Sequence, residues 1–317
     1  MLITQECNLK CRICSAKYMM RDNARLSMPE IEKFIKKIAD FNPSIFIGGG
    51  EPFMRGDIFD IFKVIKKNNL RFGVVTNGVL IEEDKINTLL TVQPQVMIFS
   101  VYGPRKLHED VVGQKGAFNR LSENIKYLNA KRKNMRLILN CVIGEENYQY
   151  LEEMVVLGRK MGVDFVRFEH LIFLSNKEYD NHMEVSSEIF PRHMCELATY
   201  IKEIDSAEIG RTLEKTIPYL RKKYKKFVLF KPYLNSRELS LWYKSDFFLK
   251  RRCFFTQHSL FIKPNGDIVP CQFFNNFVLG NILKDDLIRV WRSPERRSFS
   301  RLLNKRLLPG CMRCCKL

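Results

Sequence analysis

The 317-residue sequence predicts a protein of the α/β class, with a (β/α)6 barrel that does not fully close and a small α+β domain after it. One observation behind this prediction is periodicity: short apolar runs alternate with amphipathic stretches about six times before residue 170. These apolar runs are continuous instead of alternating, which is typical of parallel strands covered on both faces. A hairpin pattern near the C-terminus adds a short antiparallel sheet. The length is sufficient for one large or two modest domains.

The elements follow one another in the order expected for repeated strand–helix units. Ser27, Pro29 and Glu30 form a helix start, with a hydroxyl cap, a proline in the first turn and an acid at capping-box distance. Apolar residues at helical spacing follow, and later helices are predicted over 58–67, 81–90, 118–131 and 148–160. The predicted strands are a short one ahead of Cys7 and five more, over 43–47, 71–76, 96–101, 136–142 and 164–168.

Residues 176–250 break this periodicity and are predicted to form a helical, basic connector. The pattern indicates two helices and then two aromatic, basic stretches, over 187–204, 207–224, 227–233 and 241–248. We expect the connector to cover the open side of the barrel and to help shape a substrate pocket. Cys141, within a predicted strand, and Cys195, within a helical pattern, are predicted to be packed thiols. The predicted domains are therefore 1–175, 176–250 and 251–317.

Composition bounds the location and the partners of the protein. No apolar run approaches the ~20 residues of a membrane span, and the first residues lack the pattern of a signal peptide. Ten cysteines without an export signal predict the cytoplasm. The net charge is +18, and the basic surplus is concentrated in 211–252 and 291–317. Such local fields attract anionic ligands, although a solvated basic surface would show the same pattern.

Cys7, Cys11 and Cys14 form the first candidate site, with gaps of three and two residues between them. In a reducing compartment, clustered cysteines are more typical of a metal site than of disulfides. A structural zinc site is closed by four ligands, and an ordinary iron–sulfur cluster also takes four cysteines. Three thiolates can instead hold a four-iron cluster and leave one iron open for an outside ligand. A zinc knuckle with a fourth ligand elsewhere is the alternative.

This Cys-x3-Cys-x2-Cys motif after a short strand resembles that of the radical S-adenosylmethionine (SAM) enzymes. The resemblance implies a [4Fe–4S] cluster on the three cysteines, with its open iron bound by the methionine group of SAM. It also implies reductive cleavage of SAM to a 5′-deoxyadenosyl radical, which abstracts hydrogen from a substrate C–H bond. The core of that family is a (β/α)6 partial TIM barrel, in agreement with the periodicity. Ile13 stands where the family often has an aromatic residue, and we expect it to cover the adenine.

Further motifs of the resemblance fall at predicted strand ends, where the chemistry of such barrels collects. The Gly-Gly-Gly-Glu-Pro sequence after the second strand resembles the family's Gly-Gly-Glu-Pro stretch and implies contacts with SAM for Gly49, Gly50 and Glu51. Asn77 lies in a Thr-Asn-Gly sequence that resembles the third-strand motif of the family, or that simply forms a turn. Ser100 occupies the position from which the fourth strand often contacts SAM.

The segment from His108 resembles another family stretch, whose arginine can contact SAM. Here that position is Val112, so the resemblance supplies no contact there. His108 itself is expected to fix the loop instead of transferring protons. The other four histidines show no partner pattern, and no role is predicted for them.

Four later cysteines form the second candidate site, namely Cys253, Cys271, Cys311 and Cys314. Two strand-like runs joined at residues 265–266 predict a β-hairpin, and its paired ends would bring Cys253 and Cys271 together. A Cys-x2-Cys pair then adds two more thiols, so the set of four is closed. Cys315 is surplus and could replace Cys314 as a ligand. A zinc ribbon is the alternative to an iron–sulfur cluster here.

The spacing Cys-x12-Gly-x4-Cys, with a distant Cys-x2-Cys, resembles the SPASM/Twitch extensions of radical SAM enzymes. This resemblance implies an auxiliary [4Fe–4S] cluster that relays the electron of a substrate radical. SPASM domains hold two auxiliary clusters and need three further cysteines, whereas this chain stops at Leu317. We therefore expect one auxiliary cluster, as in the shorter Twitch form.

The predicted function is radical SAM catalysis on a small anionic molecule, such as a phosphorylated sugar, a nucleotide sugar or a lipid head group. The basic surplus favours this substrate class. A peptide-modifying maturase is the alternative, although many of those carry a leader-binding domain ahead of the barrel and this chain begins at its first strand. A zinc-stabilised, basic protein that binds nucleic acid is the non-enzyme alternative. We expect a monomer that receives electrons from a reductant such as flavodoxin or ferredoxin, and the sequence indicates no general acid or base.

Overall fold

A computed structural model of the protein describes residues 1–14, 24–191, 197–245 and 247–317. At its centre six parallel strands lie side by side in chain order. They are β1 (Ser44–Ile47), β2 (Arg71–Thr76), β3 (Val96–Ser100), β4 (Arg136–Ile143), β5 (Phe165–His170) and β6 (Val228–Lys231). The α/β class and the open six-stranded barrel sheet predicted from the sequence are thereby confirmed.

Helices separate successive strands and cover the sheet. The first six are α1 (Met28–Ile38), α2 (Ile58–Lys67), α3 (Glu83–Val92), α4 (Arg105–Val112), α5 (Ala117–Lys131) and α6 (Leu151–Met161). The connector holds α7 (Asn176–Ile189), α8 (Ala207–Tyr224) and α9 (Ser236–Trp242). The C-terminal part holds α10 (Phe255–His258), α11 (Leu287–Arg292) and α12 (Pro294–Lys305).

Helix α1 shows how local sequence sets these elements. The backbone N–H of Ser27 donates to the carboxylate of Glu30 at 2.8 Å, which fixes the start of the helix as predicted. The face that carries Ile31, Phe34 and Ile35 is buried against the sheet. Burial of this stripe supplies the stability that a helix of 11 residues would lack in isolation.

The predicted first strand is wrong in its extent. Among the described residues ahead of Cys7, Leu2 alone makes a strand-type pairing, as an isolated parallel bridge with Gly48. The ladder ends there because Gly49 has a φ of +145°, which is not a strand conformation. The N-terminal segment therefore lies along the end of β1 without becoming a full strand.

The sixth strand comes instead from the connector, in the stretch predicted to be aromatic and basic. Val228 and Phe230 are buried while Leu229 and Lys231 are exposed, so β6 has the alternation of a half-buried strand. The ring of Phe230 stacks on that of Phe168 in β5, with 5.0 Å between centroids. The sequence prediction missed β6 because its four residues lie among lysines and aromatic residues.

The predicted helix over 187–204 is wrong in its bounds. Helix α7 begins after Ser175, whose backbone N–H donates to Glu178 at 2.8 Å, and it ends at Ile189. Ile201 lies outside any α-helix and bridges to Leu174. Cys195 lies outside the described residues. Cys141 is fully buried in β4, as predicted for a packed thiol.

The C-terminal part forms a small antiparallel sheet of β7 (Phe261–Ile262), β8 (Asp267–Val269) and β9 (Gly280–Asn281). β7 and β8 are the two arms of the predicted hairpin. Gly266 supplies the positive φ of +86° that their turn requires. Across the described ranges of the chain, we find no helix with the length and apolar character needed to cross a membrane.

Three buried histidines make the free energy of unfolding depend on pH. Burial lowers the pKa of His170 from 6.5 to about 3, and that of His108 and His182 to about 4. The unfolded chain takes up these protons near pH 6.5 and the folded chain does not. The contribution of these histidines to the free energy of unfolding is therefore fully present above about pH 6.5. It is lost as the pH falls from there toward the folded-state pKa values of about 4 and about 3.

We expect His170→Phe to reduce this pH dependence, because the variant keeps a buried ring and cannot be protonated. Urea unfolding of wild type and variant at pH about 7.5 and about 5.5 measures the change. His258→Phe, at an exposed position, serves as the control and should leave the pH dependence unaltered. Equal slopes for His170→Phe and wild type would contradict the assignment.

Candidate functional site

The N-terminal segment packs directly on the glycine sequence that follows β1. The N–H of Gly50 donates to the carbonyl of Thr4 at 2.9 Å, and the N–H of Glu51 donates to that of Glu6 at 2.8 Å. A Cβ on Gly50 would lie 2.2 Å from the Glu6 oxygen, and one on Gly49 would lie 2.3 Å from the Thr4 oxygen. These glycines are therefore required so that the segment leading to Cys7 can approach the end of β1.

Glu51 joins the ends of β1 and β2 through its buried carboxylate. It accepts hydrogen bonds from the Thr76 hydroxyl at 2.8 Å, the Asn77 N–H at 2.7 Å and the Phe53 N–H at 3.1 Å. Burial raises the pKa of Glu51 from 4.5 to about 7, against the effect of these donors. The carboxylate is thus engaged within the protein, and its expected contact with SAM stays a prediction.

Asn77 connects β2 with the cysteine loop. Its amide nitrogen donates to the side-chain oxygen of Asn8 at 2.8 Å and lies 3.9 Å from the sulfur of Cys7. Its side-chain oxygen accepts from the N–H of Val79 at 2.9 Å, which shapes the turn. Asn77 therefore forms the turn that the sequence allowed and also reaches the first cysteine.

The end of α4 holds the other side of the cysteine loop. The N–H of Lys10 donates to the carbonyl of Val112 at 3.2 Å, and the N–H of Arg12 donates to that of Val111 at 2.9 Å. Val112 is buried with Leu9, so it packs under the loop where the family segment has an arginine. The loop is in this way fixed at three points, by β1, β2 and α4.

Cys7, Cys11 and Cys14 lie together on this loop, with Cys7 exposed and the other two half-buried. The pKa of Cys11 rises to about 12 through burial and through the negative charge that Cys14 and Cys7 would carry. The pKa of Cys7 is raised by burial and then by the negative charges of Glu51 and Cys14. A cationic metal centre would offset this repulsion, because metal-bound cysteines are thiolates. The donor set therefore fits an iron–sulfur cluster.

The spacing of the thiols bears on the kind of metal centre. Within the described ranges, no three histidine, cysteine, aspartate or glutamate side chains are grouped to share one metal ion. In an iron–sulfur cluster each thiolate binds its own iron, so the sulfurs need not converge on a single point.

Ser100 and Ile13 are both half-buried, Ser100 as the last residue of β3 and Ile13 next to Cys14. Burial raises the pKa of the hydroxyl of Tyr102, which the sequence did not single out, and the nearby thiols of Cys11, Cys14 and Cys7 raise it further. The N–H of Tyr102 donates to the ring of His108 at 3.3 Å. His108 thus fixes this loop, as expected, by holding the residue that faces the thiols.

The second cysteine set is buried in the C-terminal part, with Cys253, Cys271, Cys311 and Cys314 all below the surface. Cys253 and Cys271 lie within electrostatic range of Cys311, and Cys311 lies within that of Cys314. The four cysteines line a cavity of about 950 Å³. The structure thus brings the predicted auxiliary ligands together, and their four soft donors fit a closed iron–sulfur site.

Cys315 faces a different neighbourhood from Cys314. Its thiol is hydrogen-bonded to that of Cys314 and lies within electrostatic range of Arg167 and Glu169 in β5. Cys314, in contrast, lines the same cavity as Cys253, Cys271 and Cys311 and lies within electrostatic range of Cys311. This placement favours Cys314 as the fourth ligand.

Polar side chains that the sequence prediction overlooked lie on the same face of β4 and β5. Ser100, Asn140 and Arg167 are register partners on β3, β4 and β5. The Nε of Arg167 donates to Asn140 Oδ1 at 2.6 Å and lies 3.1 Å from Glu169 Oε1. A polar residue inside an otherwise apolar strand was the signal that could have indicated them.

Comparison with known proteins identifies two families. A sequence model of the Radical SAM superfamily matches residues 1–157, and one of the SPASM iron–sulfur cluster-binding domain matches residues 253–315. The AdoMet-dependent heme synthase of Methanosarcina barkeri is 22% identical over 296 residues, which are 92% of this chain and 81% of that protein. The antilisterial bacteriocin subtilosin biosynthesis protein AlbA of Bacillus subtilis is 24% identical over 98% of this chain, which spans 63% of that protein's length.

Solved structures show the same fold. The crystal structure of Streptococcus suis SuiB bound to S-adenosylmethionine matches with a TM-score of 0.68 at 19% identity. The match covers 98% of this chain and 71% of SuiB. At this identity the likeness concerns the fold.

Proposed function

Since the chain belongs to the radical SAM superfamily and carries a SPASM iron–sulfur cluster-binding domain, we propose that it transforms a C–H bond of an anionic small molecule. It is an enzyme of that superfamily, and its cofactors are SAM with a [4Fe–4S] cluster and an iron–sulfur cluster in the SPASM domain. When bound and reduced, the first cluster and SAM together supply hydrogen abstraction from carbon. A one-electron donor such as flavodoxin or ferredoxin would deliver the electron.

One observation carries this proposal: three mutually close thiols lie on a loop that β1, β2 and α4 hold at the carboxyl ends of the strands. We assign Cys7, Cys11 and Cys14 to the first cluster. We assign SAM to the space beside them, with contacts from Gly49, Gly50, Glu51, Asn77, Ser100 and Ile13. Cys253, Cys271, Cys311 and Cys314 would hold the auxiliary cluster, away from solvent.

The anionic substrate class is supported by charge and by relatives. The surplus of basic residues in 211–252 and 291–317 creates a field that attracts anions. Arg167 adds a cation on the polar face of the barrel. The heme synthase of M. barkeri, which resembles this chain over 92% of its length, acts in the synthesis of a small molecule.

Peptide modification is the second candidate. Its support is the similarity to the subtilosin biosynthesis protein AlbA, which extends over 98% of this chain. Incubation of the reduced enzyme with candidate peptides, followed by mass spectrometry for loss of hydrogen, distinguishes the two classes of substrate.

The proposed chemistry is tested on anaerobically purified protein. With dithionite and SAM, we expect formation of 5′-deoxyadenosine and about four irons in the SAM-binding cluster, in addition to the auxiliary iron. Cys7→Ala should abolish the nucleoside and remove only the iron of the first cluster, because one of its three thiolates is lost. Cys141→Ala is the control, since this thiol is packed within β4 and should leave iron and nucleoside unchanged.

Two results would contradict the proposal. Wild-type protein without iron or nucleoside would end it, and bound zinc together with steeply salt-dependent binding of nucleic acid would favour the non-enzyme alternative.

A further inference from the structure

A group of charged side chains lies between the two cysteine sites. Phe168 and Phe230 stack on the side of β5 and β6 that faces α8, where Arg221 lies 5.2 Å from the Phe230 ring centroid. Successive side chains of a strand point to opposite faces, so their neighbours Arg167 and Glu169 point to the inner face of the barrel. We call Asn140, Arg167, Glu169 and Lys231 the inner polar group.

The inner polar group extends from one cysteine site toward the other. Asn140 is the register partner of Ser100, the last residue of β3, which lies on the side of the leading cysteines. At the opposite side, Arg167 and Glu169 lie within electrostatic range of Cys315, next to the auxiliary cysteine Cys314. A substrate bound to this group would lie between the two cysteine sites.

The guanidinium of Arg167 is held along one edge. Its Nε donates to Asn140 Oδ1 at 2.6 Å and lies 3.1 Å from Glu169 Oε1. Within the part of the chain that the structure describes, its Nη1 and Nη2 donate no hydrogen bond, and the side chain is 17% exposed. These N–H groups can therefore donate to a ligand, and a carboxylate or phosphate can accept two parallel hydrogen bonds from one guanidinium.

Lys231 adds a second cation on the same face. It is the register partner of Glu169 and is exposed, as is its neighbour Leu229 on this face of β6. With Glu169 counted, the inner polar group has one positive charge in excess. This face of the sheet therefore presents the oriented guanidinium of Arg167, the ammonium of Lys231 and the exposed side chain of Leu229.

We propose that the substrate is an amphipathic acid, whose carboxylate or phosphate binds Arg167 and Lys231 while its apolar part contacts the exposed Leu229. This proposal rests on the proposed function and specifies its substrate class. Arg167 is the principal ligand because its orientation is fixed before binding. Glu169 and Asn140 are positioning residues, which hold the guanidinium through its Nε edge.

The methionine carboxylate of SAM has the same chemistry as the proposed ligand group, so the experiment separates the two. Equilibrium dialysis of the anaerobic holoenzyme measures binding of coproporphyrin III, an apolar macrocycle with four carboxylates, in the presence of SAM. Its neutral tetramethyl ester is the second probe, and SAM binding is measured separately. The variants are Arg167→Met, Arg167→Lys and Lys231→Met, and Arg71→Met at the opposite, exposed end of the sheet is the matched control.

We expect Arg167→Met to raise the Kd for coproporphyrin III about tenfold or more, the usual effect of losing a charged hydrogen-bonding partner. Arg167→Lys and Lys231→Met should raise this Kd by less. Arg71→Met should bind coproporphyrin III as wild type does. The Kd for the tetramethyl ester and the Kd for SAM should be the same in all variants as in wild type. The iron content of each variant confirms that it is folded.

The proposal is overturned if wild type does not bind the tetracarboxylate, or if Arg167→Met binds it as wild type does. It is also overturned if Arg167→Met weakens SAM binding alone, because Arg167 would then hold the cofactor. Formation of 5′-deoxyadenosine by wild type without any substrate is recorded in parallel. Its absence would refute the proposed function, whereas the binding data report on the acid site independently.

Discussion

Gly50→Ala is expected to remove the leading iron–sulfur cluster while leaving the auxiliary one in place. A Cβ at this position would lie 2.2 Å from the carbonyl oxygen of Glu6 and 2.6 Å from that of Gln5. Both obstacles are backbone, so the segment would have to move away and lose the hydrogen bond from the Glu51 N–H to Glu6. Cys7 follows directly on this segment, and its displacement would separate it from Cys11 and Cys14.

Iron and sulfide analysis measures the effect, together with 5′-deoxyadenosine formation, which should fall at least a hundredfold because chemistry depends on sub-ångström positioning. Gly56→Ala is the matched control, since a Cβ there meets no atom within 4 Å. It should retain both clusters and full nucleoside formation. A Gly50→Ala protein with normal iron content would show that the loop can relax, and the proposed role of the glycine would be wrong.

The sequence predicted the core strands well because each is a local signal. The runs that became β1 to β5 are apolar, are bounded by turn residues and need no knowledge of the rest of the chain. β6 could not be recognised in this way, because its four residues lie among lysines and form a strand only by pairing with β5. The bounds of α7 were missed for a similar reason, since Ser175 and Glu178 mark its start but the expected apolar periodicity is weak there.

The candidate site shows the same division. The two cysteine sets could be proposed because their spacing is itself the signal. The structure places the members of each set within electrostatic range of one another, and their role as cluster ligands stays a prediction. What Glu51 does was not predictable, because its three hydrogen-bond donors come from residues whose positions depend on β2. Arg167 and Tyr102 were missed because a single polar residue in a strand, or a tyrosine after one, has no meaning until the neighbouring strands are in register.

Arg313→Met is expected to lower the free energy of unfolding by about 3–5 kcal/mol, the usual cost of breaking a buried ion pair. Arg313 is fully buried, and its Nη1 donates to both carboxylate oxygens of Glu178, at 2.6 and 2.7 Å. Its Nε donates to the carbonyl of Trp242 at 2.7 Å, and its Cζ lies 4.2 Å from the ring centroid of Phe173. This one side chain connects the last cysteines to α7 and α9.

Because Arg313 lies between Cys311 and Cys314 in the chain, its loss should also release iron from the auxiliary site. Denaturant unfolding and iron analysis of the purified variant measure the two effects. Lys63→Met, which breaks the exposed pair with Asp60, is the control and should cost less than about 1 kcal/mol.

A double-mutant cycle with Glu178→Met isolates the ion pair from the loss of packing. Methionine at both positions leaves no buried charge, so the double variant should recover part of the stability that Arg313→Met loses. Additive losses in the cycle would mean that Arg313 stabilises the C-terminal part through its backbone acceptors and ring contacts, and that its attraction to Glu178 contributes little.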